Sequence, residues 1–265
     1  MKIKSLLCSL LAGILLTAVG FASPAKAIAP PARQYYQLII YHIKDKMQEQ
    51  RLDKYLSDAY LPFLHRSGIK TVGVFKTANI DTARDKRMYV FVPFRSLNDF
   101  VRISQTLQSD KDLVQNGSEY ITSDYTNAPY TRKESILMQA FTGMPVLRKP
   151  EFKEPKSQRL YELRSYESPT ELANVAKVRM FNNEELEIFD RIGSQAVFYA
   201  QVLAGSRMPN LMYLTTYSSP ASREEHWKTF SNDPKWKRVS ALPEYQKVVN
   251  KADIILVVPT DYSDL

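Results

Sequence analysis

The 265-residue chain has a single cysteine, Cys8, and it lies in the apolar stretch at the N-terminus. Everything after that stretch is thiol-free, which excludes disulfides, a cysteine nucleophile and thiolate metal sites. Glycine is scarce at 8 residues, and neither GxGxxG nor GxxxxGK followed by Ser or Thr occurs. Nucleotide binding through a Gly-rich phosphate loop is therefore not expected. The three histidines, His42, His65 and His226, are widely separated, with no HExxH and no His/Asp cluster, so no metal is expected. No GxSxG is present, and no Ser-His-Asp set can be read.

The chain begins MKIKSLLCSLLAGILLTAVGFASPAKA. Lys2 and Lys4 precede an apolar run from Leu6 to Phe21, and Ala25-Lys26-Ala27 is a small-x-small cleavage site. This pattern predicts a signal peptide over 1–27, cleaved near Ala27, and export to the periplasm or the extracellular space. The run is shorter than the roughly 20 residues of a spanning helix, and no long apolar run follows, so no membrane span is expected after cleavage. Of 36 basic residues, Lys2, Lys4 and Lys26 fall in the leader; the other 33, against 28 acidic ones, leave an excess of +5. The basic residues are scattered rather than striped, which argues against nucleic acid as a partner.

What the chain does have is a repeat. YQLIIYH (36–42) lies against YELRSYE (161–167), matching Tyr36 with Tyr161, Leu38 with Leu163 and Tyr41 with Tyr166. HRSGIKTVGVF (65–75) lies against DRIGSQAVFYA (190–200), through Gly68 and Gly193. RMYVFVPF (87–94) lies against LMYLTTYS (211–218), through Met88/Met212 and Tyr89/Tyr213. LQSDKDL meets FSNDPKW, and ESILMQAF meets ADIILVVP. Four offsets fall between 123 and 125 and the last is 118, as a duplication requires.

Each half reads strand, helix, strand, strand, helix, strand. In the first helix Leu52, Tyr55, Leu56, Tyr60, Phe63 and Leu64 share one face, and Pro62 is expected to loosen its end. SPTE (168–171) predicts a helix start with Ser168 as N-cap, and SLND (96–99) predicts another with Ser96. The βαββαβ order predicts an α+β fold of two tandem ferredoxin-like domains, 35–141 and 159–260, joined by a Pro-rich linker, 142–158. Their sheets would cover each other in a dimeric α+β barrel-type arrangement, with a homodimer expected. The C-terminal DYSDL reads as a frayed end.

The YELRSYES strand, the AVFYAQVLAGSRMPNLMYLTTYSS strand pair and REEHWKTFSNDPKWKRV, in that order, resemble the NIPSNAP family, a branch of the dimeric α+β barrel superfamily. The second half is the clearer match. The first half has Ile39 where the second has Arg164, and Ser104 where it has Trp227. The resemblance implies the fold but transfers no settled activity. Some relatives in the wider superfamily bind haem through one histidine. Here the His226 helix is expected outside the barrel and His42 at a strand end, so no cofactor is expected.

In REEHWKTFSNDPKWK, Trp227 and Phe230 make a stripe at helical spacing, read as core packing, and Asp233 is expected to cap a new helix. On the YELRSY strand Glu162, Arg164 and Tyr166 share a face. Placing the apolar face of Tyr161, Leu163 and Ser165 against the helices sends these three into the barrel interior, with Gln37 and Tyr41 matching them in the first half. Buried charges there would pair with one another or hold a ligand. The candidate ligand-binding residues are Glu162, Arg164, Tyr166, Tyr41, Tyr199 and Tyr213, around an inter-sheet cavity taking a small organic molecule with an anionic or carbonyl group. The alternative is a cofactor-independent oxygenase or isomerase in which Arg164 polarises an oxygen and Tyr166 or Glu162 handles a proton.

Overall fold

Alternation along the first strand, β1 (Tyr35–Ile43), sends Tyr36, Leu38 and Ile40 to one face and Ile39, Tyr41 and Ile43 to the other; all six are buried. A strand apolar on both faces needs cover on both sides, and the architecture supplies it. The structure, a computed structural model, describes residues 32–265; the expected signal peptide lies outside the described residues. After β1 come α1 (Lys46–Tyr55), α2 (Leu61–Arg66), β2 (Gly73–Thr77), β3 (Lys86–Phe94), α3 (Leu97–Thr106), α4 (Lys111–Asn116), α5 (Ser118–Ile121) and β4 (Arg132–Ala140). The second half follows with β5 (Leu160–Glu167), α6 (Glu171–Met180), α7 (Leu186–Arg191), β6 (Gln195–Ala204), β7 (Asn210–Tyr217), α8 (Pro220–Asn232), α9 (Pro234–Ser240) and β8 (Lys251–Pro259).

Each half forms a four-stranded antiparallel sheet, ordered β4-β1-β3-β2 in the first and β8-β5-β7-β6 in the second. β2 pairs with β8 and β4 with β6, so the two sheets close into one eight-stranded barrel. Closure takes place within one chain and needs no second copy. Eight strands leave an interior just wide enough for side chains to fill it. Tyr36, Phe91, Tyr161, Phe198, Met138 and Leu214 are among those that do, with Phe91 and Phe198 stacked at 4.6 Å. The space where an inter-sheet cavity was expected is occupied by core side chains.

The repeat extends to local backbone. A π-helical turn, Leu56–Tyr60, separates α1 from α2, and Phe181–Glu185 separates α6 from α7 at the matching place. Pro62 falls in the first turn of α2, but the second half makes the same π turn with Glu187 at that position. The proline is accommodated by the turn and does not cause it. Gly68 (φ 94°) and Gly193 (φ 76°) end the two helices in the left-handed region, as a C-terminal glycine does.

Three expectations need correction. The cap of α6 is Thr170, whose hydroxyl accepts from Ala173 N, not Ser168, which lies two residues too early for the first turn. The β3/β7 match slips by one: Ile39 pairs with Val90, and Arg164, its counterpart, with Tyr213. Tyr213 is thus equivalent to Val90, while Tyr89 points into the barrel. The C-terminal residues are also docked rather than frayed. Asp264 N donates to Val72 O and its carboxylate accepts from Val72 N, Ser263 Oγ accepts from Val74 N, and the Leu265 side chain joins the barrel core at 1% exposure. Ser96 and Asp233 do cap α3 and α9 as expected.

Truncating Leu265 to Ala should leave a void at the barrel end that Gly73 and Phe75 cannot fill. The expected cost is about 2–4 kcal/mol, read as a lower urea midpoint at unchanged slope. A loss below about 0.5 kcal/mol would mean that the tail does not close the barrel.

Candidate functional site

The face assignment on β5 is the opposite of that expected. Tyr161 and Leu163 point into the barrel; Glu162, Arg164 and Tyr166 point outward beneath α6–α9. The physical reason is the closure just described. A closed interior admits no water and no counter-charge from outside, so the apolar face goes in. The outer face meets a helical layer that brings its own charges and leaves an opening.

Glu162 is fully buried (0%) and has an arginine on each carboxylate oxygen. Arg164 Nε donates to Oε1, and Arg223 Nε, from α8, donates to Oε2. Arg164 Nη1 also donates to the Tyr166 hydroxyl at 2.8 Å, and that hydroxyl lies 2.9 Å from the Tyr213 hydroxyl. The Arg164 guanidinium carbon lies over the Trp227 ring, 3.6 Å from its centre. Burial disfavours the charge on Arg164, yet the hydroxyls of Tyr213 and Tyr166 and the Glu162 carboxylate outweigh it and hold the guanidinium's pKa above its ordinary value. Its remaining nitrogen, Nη2, has no partner among the described residues.

Arg164, Tyr166, Tyr213 and Arg223, though not Glu162 itself, line a cavity of about 520 Å³ between the second-half sheet and its helices. Lys177 of α6 and Glu185 of the π turn form the opposite wall, Nζ to Oε1 at 2.5 Å, with Phe181 4.7 Å beneath the ammonium. Trp227, Phe230 and Trp236 close the top. Burial pushes the Glu185 carboxyl above its ordinary range, and the nearby Lys177 only partly offsets it. Burial likewise raises Tyr199 and Tyr213 well above the usual phenol range, so both stay protonated. Two buried polar atoms of this layer, Trp227 Nε1 and the Tyr199 hydroxyl, lack a partner among the described residues.

Of the six candidate residues, Glu162, Arg164, Tyr166 and Tyr213 form one connected network, with the Tyr199 ring 5.5 Å from Tyr213. Tyr41 is not with them: it lies on the outer face of the first-half sheet. Lys177, Glu185 and Arg223 were not foreseen. They stand where the first half has Leu52, Tyr60 and Phe100, so a charge set against an apolar counterpart was the available signal. Trp227 and Phe230 do pack, with Phe230 stacked on Phe189 at 4.6 Å, but Trp227 also carries the guanidinium. His226 Nδ1 is engaged with Ser222 O at 2.7 Å, His65 with Asp264 at 2.8 Å, and His42 with Glu134 at 2.7 Å.

The NIPSNAP family model matches residues 161–264, the stretch that builds this site. The match to the NIPSNAP domain falls in the second half of the chain. No curated protein matches the chain. Among solved structures, a proposed monooxygenase from Fusobacterium nucleatum superposes over 86% of this chain and 93% of its own with a TM-score of 0.59 at 7% identity. One from Lactobacillus acidophilus covers 86% and 94%, with a TM-score of 0.56 and 10% identity. At these identities the likeness shows the fold alone. A NIPSNAP family protein from Agrobacterium tumefaciens covers 44% of this chain and 98% of its own, at 16% identity and a TM-score of 0.37. Within the matched residues the Tyr-x-Leu-Arg-x-Tyr strand supplies Arg164 and Tyr166, and α8 supplies Arg223 and Trp227.

A carboxyl raised by burial binds its proton more tightly folded than unfolded. Between the ordinary glutamate value of 4.5 and the raised one, Glu185 therefore subtracts stability as pH rises. Glu185→Gln should flatten that part of the pH–Tm profile. An unchanged slope would show that Lys177 keeps the carboxylate ionised throughout.

Proposed function

We propose that the chain is an exported small-molecule-binding protein of two tandem ferredoxin-like domains, whose NIPSNAP domain holds a small organic ligand with a carboxylate or carbonyl oxygen on Arg164. The observation that carries the reading is the preorganised guanidinium. Glu162, Tyr166 and Trp227 hold it, Nη2 has no partner among the described residues, and Arg164 lines a cavity of ligand size. The aromatic lining of Trp227, Phe230 and Trp236 suits an apolar ligand body. The leader at 1–27 supports export. A homodimer remains part of the proposal, resting on a surface other than the barrel seam, which one chain closes by itself.

A second reading, a cofactor-independent oxygenase or isomerase, draws on one specific feature: the Tyr166 hydroxyl accepts from Arg164 and contacts Tyr213. A hydroxyl so placed could pass a proton to a ligand oxygen polarised by Arg164. That two structures of the same fold are named as monooxygenases accords with this reading without carrying it.

Native mass spectrometry of the chain purified from its own source should show a reproducible small-molecule adduct, lost in Arg164→Met. Both tryptophans of the chain line this cavity, so their fluorescence reports on it alone. The isolated ligand should perturb it with an affinity lowered about tenfold to a hundredfold by the same change. A clean apo mass, with the same oligomer in both proteins, would set the binding reading aside.

A further inference from the structure

The first-half sheet has its own outer-face cavity, about 830 Å³, under α1 to α5. It is the larger of the two, and the repeat says why. Ser104 stands where the NIPSNAP domain has Trp227, and Ile39 stands where it has Arg164, so the stacked pair that fills the second cavity is missing from the first. Gln37 replaces Glu162 and Leu52 replaces Lys177, removing the second-half ion pairs as well. Tyrosines take their place: Tyr55 and Tyr120 stack at 3.8 Å, Tyr60 lies 5.8 Å from Tyr55, and Tyr41 and Tyr130 lie 5.4 Å apart.

One cation enters this wall. Lys133 of β4 pairs in register with Tyr41, the equivalent of Tyr166, and its ammonium lies 5.4 Å from the centre of the Tyr41 ring. No carboxylate lies within salt-bridge distance of it among the described residues. The one carboxylate on the cavity lining, Asp124, is turned onto the Thr126 hydroxyl and the backbone of Thr126 and Asn127. The residue is exposed overall, yet the surrounding wall desolvates the ammonium and lowers its pKa. An unpaired cation at the edge of a tyrosine-walled cavity has the complementarity for a flat apolar body with one acidic group.

We propose that this first-half cavity is a second, chemically distinct binding site, taking a planar aromatic carboxylate with its ring against the tyrosines and its carboxylate on Lys133. The duplication has thus yielded two sites: one where an arginine is fixed by neighbouring charges, and one where a lysine is left for the ligand.

The test is equilibrium binding of 2-naphthoate and its neutral analogue 2-naphthalenemethanol to the chain, followed by the probes' own fluorescence. Lys133→Met, at an exposed residue without an ion-pair partner, should weaken 2-naphthoate at least tenfold and leave 2-naphthalenemethanol unchanged. Ser104→Trp, which restores the second-half filling, should abolish both, and the effect of Lys133→Met should persist when Arg164→Met is also present to silence the second-half site. An unchanged thermal midpoint shows that each variant is folded. Absence of saturable naphthoate binding would overturn the proposal. So would equal affinity in Lys133→Met, or a loss in Arg164→Met in place of Lys133→Met.

Discussion

A carboxylate with no exposed surface governs the arrangement of the second half. Glu162 is out of water entirely, and such a charge persists only if its oxygens are met by charged donors. Two arginines from different elements meet them, Arg164 two residues along the same strand and Arg223 across on α8. The consequence is mechanical as well as electrostatic. Holding Arg223 ties the helical layer to the sheet, and holding Arg164 Nε fixes the plane of its guanidinium. Trp227, one helical turn beyond Arg223, then has a flat cation beneath it. The cavity exists because this pillar stands on one side of it and Lys177–Glu185 on the other.

The first half shows what the same backbone does without the pillar. It keeps the strand order, the π turn, the left-handed glycine and the serine and aspartate caps. It has apolar residues at most of the charged positions. Its helix face of Leu52, Tyr55, Leu56, Tyr60, Phe63 and Leu64 is buried as its spacing predicts. Packing of that kind is forgiving about which residue fills a place, whereas an ion pair is not. The two halves share a strand order, and the chemistry of their outer faces differs.

Much of the fold was legible because periodicity and self-similarity are properties of the sequence itself. The strand and helix order could be read twice over, and the N-caps at Ser96 and Asp233 follow from local hydrogen bonding. The grouping of Glu162, Arg164 and Tyr166 followed from alternation. The side on which they lie did not, because alternation separates two faces without saying which will be enclosed. That depends on β2 meeting β8 and β4 meeting β6, contacts between distant parts of the chain. The Tyr89/Tyr213 match is one residue out of register, and a one-residue slip changes the face, so the repeat alone did not put Tyr213 beside Arg164. Lys177, Glu185 and Arg223 sit on helices whose second-half pattern mixes charge into the buried stripe. Only the comparison with Leu52, Tyr60 and Phe100 marks them out.

The most direct measurement is a double-mutant cycle on Glu162→Gln and Arg223→Gln, read by urea unfolding. Each single change leaves buried charge uncompensated, and the account predicts that removing both costs less than the sum, with a coupling of about 1–3 kcal/mol. Additivity to within about 0.5 kcal/mol would contradict it. The carboxylate would then not be what holds the helices and the Arg164 guanidinium in place.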